Sequence, residues 1–364
     1  MQGATTASPW RRLFHLFKEH WHWLFIAVAG VLLLARYMPA VYLATFCSDN
    51  IQACLLYRDV IEQGHPARGW IFGAHSDLFP DVTIIFLLES LLHNAVLVLQ
   101  ILTSILFAAW IAITLVIYRQ LGGRHMETLA GLLGLFFIGC CRNFGIHHGI
   151  NFGDSFMMGN HCGTEIMTLV CFALCLHAAM QGRGKSFWWL GAVCFITAAS
   201  DALYLVIFPI PVLAALLFAK LAYPAKIRSL LPLAANIIAF SAFGFVMGPR
   251  IFPAGIVGGY THIDMVAARH AWHEIWLNCL PSEGGTYVIF FALDILSVAG
   301  ALCMVAPPLS RAIVKRVPAP VYLLLLYCAC VIACNIGAAV LTGNFSGLGA
   351  SRYIRFAFWL PALV

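Results

Sequence analysis

Charge is scarce in this sequence: Asp, Glu, Lys and Arg make up 10% of its 364 residues, against roughly a quarter in a soluble domain. So few charges do not cover a water-facing surface, and a soluble enzyme or carrier is excluded. Long basic runs are also missing, although the formal charge is +6, because the lysines and arginines are scattered among apolar stretches. Nucleic acid is therefore excluded as a partner. Neither inverted pairs of broken helices nor two similar halves are visible, which counts against a secondary transporter. The 13 cysteines show no zinc or redox spacing, and most sit in apolar runs as small buried residues. Only Cys47, Cys54, Cys162 and Cys279 lie where an oxidising exterior would let them pair.

What is present is hydrocarbon, at 62% hydrophobic residues and a mean hydropathy of +0.89. At about 20 apolar residues per crossing, the chain has room for about ten spans in one transmembrane domain, residues 1–364, an all-α polytopic helical bundle. An amphipathic segment from Pro9 to His22 precedes a first span from Trp23 to Ala44. Later apolar runs fall near 95–118, 126–141, 162–180, 187–200, 202–222, 229–248, 287–307 and 320–342. Those at 126–141 and 187–200 are short, as helices that end beside a cavity would be. A last run opens at Ile354 and stops at Val364, so a further C-terminal region is expected. Counting crossings from a cytoplasmic N-terminus puts Arg11 to Lys18, Arg119 and Arg124, Arg183 and Lys185, Lys220 to Arg228, and Arg311 to Arg316 inside. The same count puts Asp49, Asp59, Glu62, Asp77, Asp81, Asp154, Asp201, Asp264, Glu274 and Glu283 outside. The outer face is where chemistry is expected.

Two outer loops are long, at about 46–94 and about 249–286. In the first, Ser48 is a plausible N-cap with Asp49 on the favourable side of a helix dipole. The helix over Ile51 to Gln63 has Ile51, Cys54, Leu55 and Ile61 as its apolar side, and Gly64 and Pro66 stop it. Pro80-Asp81 opens a second apolar run, Val82 to Leu92, in which Glu89 calls for an interface or a cavity. In the second loop, His262, His270, His273, Trp272 and Trp276 predict an amphipathic interface helix.

The order of one span, Cys47-Ser48-Asp49-Asn50, an amphipathic helix and then Phe79-Pro80-Asp81 resembles the GT-C superfamily of membrane glycosyltransferases. That superfamily includes protein O-mannosyltransferases and aminoarabinose transferases. The likeness continues at Asn160-His161, with Thr164 and Glu165 behind it, at Ser200-Asp201 leading into Tyr204 to Pro211, and at Ser351-Arg352-Tyr353. It implies a polyprenyl-phosphate sugar as donor, a glycan, lipid or protein as acceptor, and inverting transfer on the outer face of a bacterial inner membrane. Asp49 takes the place of the general base. Arg352, Arg355 and His161 are candidates for the donor phosphate, with Arg142, Arg250 and Arg269 behind them. Asp81, Asp77, His147 and His148 are candidates for the acceptor or for a divalent metal, Mg or Mn. Asn50 stands where many members carry a second acidic residue, which weakens any strict acidic pair there.

Each of these residues also has a structural reading. Asp49, Asp81 and Asp201 all sit where helix caps sit, and the interfacial cap is the favoured reading of Asp201. His147, His148 and His161, with Asp154 nearby, divide evenly between donor contact, metal ligation and ordinary loop histidines. Asp294, inside the span near 287–307, needs a partner that the sequence does not name. A transporter or flippase for a lipid-linked or small polar substrate is the runner-up function, and a non-catalytic membrane subunit is the third.

Overall fold

A computed structural model describes residues 48–67, 70–72, 77–122, 161–182, 184–227, 230–251, 255–256, 265–279, 295–300 and 316–342, with positions 28, 31, 32, 35, 302, 303 and 360 besides. Their regular structure is helical, apart from one two-residue parallel pairing. Helix α1 (Ser48–Tyr57) widens into a π-type turn at Arg58–Glu62, which Gly64 ends at φ +75°. Strand β1 (Ile71–Phe72) follows, then a second π-type turn, Leu78–Val82, and α2 (Thr83–Leu92). Helix α3 (Ala95–Gln120) starts at Asn94, whose side chain accepts the Leu97 N–H at 3.2 Å. Next come α4 (Cys162–Gln181), α5 (Lys185–Ser200), α6 (Leu203–Ile207) and α7 (Pro209–Ala222). After α8 (Leu230–Ile251), β2 (Gly255–Ile256) pairs with β1, and α9 (Met265–Cys279) and α10 (Ala319–Leu341) complete the order.

Five segments among the described residues are long and apolar enough to cross a bilayer: α3, α4, residues 203–222, α8 and α10. Each matches an expected run to within a few residues, and the chain is a helical membrane protein on this ground. Apart from 187–200, the remaining expected runs lie wholly or largely outside the described residues. Helix α5 has 16 residues, as short as expected.

The third of these segments is broken for a reason legible in its prolines. Pro211 has no N–H to offer the carbonyl four residues back, that of Ile207, and the chain breaks between α6 and α7 at Phe208. The Tyr327 hydroxyl donates to the Ile207 carbonyl instead, at 2.7 Å. Pro209 sits at the start of α7, where its missing N–H costs nothing.

Packing centres on α4, whose apolar window is 78% buried against 28% for α8. Helices α5 and α8 run parallel and in close contact. A Cβ at Gly244 would strike the Phe195 carbonyl, and one at Gly248 the Ala199 carbonyl. This four-residue spacing of small residues lets two backbones approach where lipid supplies no hydrophobic force between helices. Asn236, buried in the same seam, donates to the Phe187 carbonyl at 2.7 Å.

Helix α1 corrects one expectation. Its buried side is Ala53, Cys54, Leu56 and Tyr57, whereas Leu55 and Ile61 are 44% and 56% exposed. The π-type turn has more residues per turn than an α-helix, so it rotates Ile61 off the expected stripe. Ser48, expected as the cap, is the first residue of the helix itself. Cys54 and Cys162 are buried and form no disulfide.

This connectivity gathers the described carboxylates at one end of the bundle, together with Arg58, Arg250 and Arg269, and the other described basic residues at the opposite end. Arg119, Lys185, Lys220, Lys226 and Arg316 fall at the end where α3 and α7 finish and α5 and α10 begin. Asp77, Asp81, Glu89, Glu165 and Asp201 fall at the other end, and all five are buried.

Candidate functional site

At the acidic end, three elements far apart in sequence deliver Asp77, His161 and Asp201 to one point. Asp77 precedes the turn Leu78–Val82, His161 precedes α4, and Asp201 follows α5. They are 7%, 2% and 3% exposed. One ligating atom from each lies within 4.8 Å of the others.

The cluster is held in place at several points. His161 Nδ1 and Asp201 Oδ2 are 2.6 Å apart, so the carboxylate accepts the Nδ1–H, and in the neutral ring the lone pair is on Nε2. The other oxygen of Asp201 accepts the Leu203 N–H at 2.9 Å, which starts α6. Next to it, Ser200 Oγ accepts the Phe79 N–H at 3.0 Å and donates to the Ile196 carbonyl at 2.8 Å. That pair of bonds ties the Asp77-bearing segment to the end of α5. Asp81 packs against the first turn of α4, where a Cβ at Gly163 would fall on its carboxylate and on Pro80. Backbone conformation adds to the case, because Asp77 at φ 46° and His161 at φ 58° both occupy the left-handed region. For non-glycine residues that costs roughly 1–3 kcal/mol each, a cost found where the surroundings require the geometry.

With Asp201 taken up at Nδ1, the Asp77 carboxylate and His161 Nε2 are the groups of this cluster left to face a divalent cation with some affinity for nitrogen. That choice favours manganese or zinc over magnesium, which prefers an all-oxygen shell. A histidine that gives one N–H to a carboxylate and turns its other nitrogen to a metal is the usual arrangement around such ions.

A second polar network lies in the first outer loop. Arg58 approaches the fully buried Glu89 at 3.7 Å and donates to the His93 carbonyl at 3.3 Å. His93 Nδ1 meets Glu62 at 2.8 Å. Asp59 takes bonds from His65 at 2.7 Å and from the Trp70 ring N–H at 2.6 Å. These two bonds hold Asp59 below its ordinary value of 3.8. Burial, aided by the adjacent Glu89 carboxylate, pushes the Cys54 thiol up to about 12, so at neutral pH it is a thiol and no nucleophile.

Of the sequence candidates, Asp77 and His161 come together and Asp81 lies buried close by. Asp49 is in the first turn of α1, with its side chain outside the described residues. Arg352, Arg355, His147, His148, Asp154, Asp294 and Arg142 also lie outside them. Asp201 was expected as a helix cap; it caps α6 and also binds His161. The sequence signal for that second role was the Ser200-Asp201 pair at a short helix end. The Arg58–Glu89 pair was missed, because nothing in the spacing links residues 31 apart.

Comparison with protein families, with curated proteins and with solved structures finds no match in any of the three. Function therefore rests on the residues and their geometry.

Proposed function

We propose that this chain is a membrane glycosyltransferase of the GT-C type, moving a sugar from a polyprenyl-phosphate donor to an acceptor at the outer membrane surface. The single observation behind the reading is the buried Asp77–His161–Asp201 cluster at the ends of apolar helices. In the transfer, the acceptor hydroxyl gives its proton to Asp49 and its oxygen bonds to the anomeric carbon. The sugar–phosphate bond breaks, and polyprenyl phosphate departs with the electron pair. Asp201 orients the His161 ring, and the Ser200 bond to Phe79 keeps Asp77 beside both. Asp77 and His161 would hold a divalent cation there, whose chemistry would be to stabilise negative charge on the departing phosphate. Arg352 and Arg355 are the remaining candidates to pair with that phosphate.

Position also favours an enzyme over a transporter. Transport sites sit near the bilayer midplane at broken helices, whereas this cluster sits at helix ends. The basic end of the bundle then faces the cytoplasm and the acidic end the exterior of a bacterial inner membrane.

The test uses the purified chain in nanodiscs with polyprenyl-phosphate sugars and a panel of acceptors. Asp49→Asn should lower transfer by about 10²–10⁴-fold. His161→Ala and Asp201→Asn should lower divalent-cation affinity by about 10–100-fold and reduce transfer with it. Unchanged transfer in both His161→Ala and Asp201→Asn would sink the assignment, as would substrate crossing sealed vesicles with no bond made or broken.

A further inference from the structure

Helix α9 carries a second feature, independent of the Asp–His–Asp cluster. Val266, Arg269, His270 and His273 follow the spacing of one helical stripe, and with Trp272 they line an open cavity of about 770 Å³. The opposite side of the helix is made of small residues, Ala268 and Ala271, which are buried. Helix α9 packs against α10. Met265, Val266 and Trp272 are 71%, 81% and 53% exposed. So over the described side chains, residues 265–273, the buried positions of the helix are alanines and the exposed face is apolar and cationic together. The one carboxylate in its sequence, Glu274, stands four residues after His270, about 40° round the helix at 100° per residue.

Location limits what this face meets. The β1–β2 pairing, Ile71 to Gly255 and Phe72 to Ile256, ties the segment ahead of α9 to the first outer loop. The helix thus belongs to the acidic end of the bundle, where the apolar spans finish. Exposed apolar side chains beside the ends of apolar spans suit the boundary of hydrocarbon and water, a depth that tryptophan rings favour.

We propose that the Arg269–His270–His273 face of α9 is a binding site for the phosphate headgroup of an anionic bilayer phospholipid. Arg269 supplies a planar fork that matches two phosphate oxygens. The two imidazoles add ring N–H donors from the same stripe, while Val266 and Trp272 lie against the acyl boundary. Bound lipid then fixes α9 at the surface and, through β2 and β1, steadies the first outer loop that carries Asp77.

The test is lipid binding by the purified full-length chain in nanodiscs, read by native mass spectrometry. Phosphatidylglycerol should bind at least about fivefold more tightly than phosphatidylcholine at low salt, the effect of one arginine near an anionic surface. Arg269→Ala should remove most of that preference, and Arg269→Lys should keep a reduced part of it. Arg269 is exposed, so the melting temperature of either variant should stay near wild type. Equal binding of the two lipids, or a preference undiminished in Arg269→Ala, overturns the proposal. So does displacement of phosphatidylglycerol by millimolar inorganic phosphate, which would make this a free-anion site. Displacement by equimolar polyisoprenyl phosphate also overturns it, because the site would then serve the donor.

Discussion

Histidine and aspartate in left-handed backbone are a costly choice when glycine adopts the same conformation freely. At 77 and 161 the side chains are what the site needs, and the surrounding bonds from Ser200 and Asp201 hold the backbone there. Asp59 makes a prediction of its own at this scale. Its carboxylate is held below its ordinary value, first by His65 and then by Trp70. A lowered folded value means that its contribution to loop order is complete above the unfolded value, about 3.9, and is lost as pH falls through the folded one. The protection of amides across residues 58–67, taken relative to the intrinsic exchange rate at each pH, should therefore keep the Asp59 contribution down to about pH 4 and lose it below. In Asp59→Asn that acid step should vanish; a step of the same size in the variant would refute the assignment.

Elements here are shaped by what their backbones lack. Pro211 withholds one donor, a tyrosine from another helix replaces it, and a long apolar segment becomes two helices. Glycine does the reverse between α5 and α8, removing side chains so that carbonyls come close. Gly248→Val should force the two helices apart and lower stability by about 1–3 kcal/mol, measured as reduced thermal stability in detergent. Gly248→Ala should cost less. A valine variant as stable as wild type would mean that the seam is looser than these contacts imply. Because α5 ends at Ser200-Asp201, a shift in this seam should also weaken cation binding at His161, and the same preparations report it.

Across the whole molecule, charge segregation is the organising feature, and it predicts a topology. A cysteine placed at Glu62 should react with a membrane-impermeant maleimide added outside intact cells, and one at Lys226 only after permeabilisation. The reverse pattern would put the cluster in the cytosol and remove the proposed reaction. How much of this was legible in the sequence follows from range. Span positions depend on local hydropathy, so α3, α4, α8 and α10 fall where the apolar runs lie, and the shortness of α5 was plain as well. Gly64 and Asn94 act through their own backbone and nearest turns, and these ends too were readable or nearly so. The place of Ile61 was not, because the π-type turn after α1 shifts the helical register there, and the sequence period does not carry that shift. Asp77 and His161 were named separately, for roles in different places. Sequence by itself determined the solvent of this chain, its helical segments and the sorting of acidic from basic residues, since each follows from composition summed over neighbours. Only tertiary structure decided that residues 77, 161 and 201 share one buried point and that Glu89 answers to Arg58. Such meetings depend on how helices dock, and docking is set by contacts between residues that the chain keeps far apart.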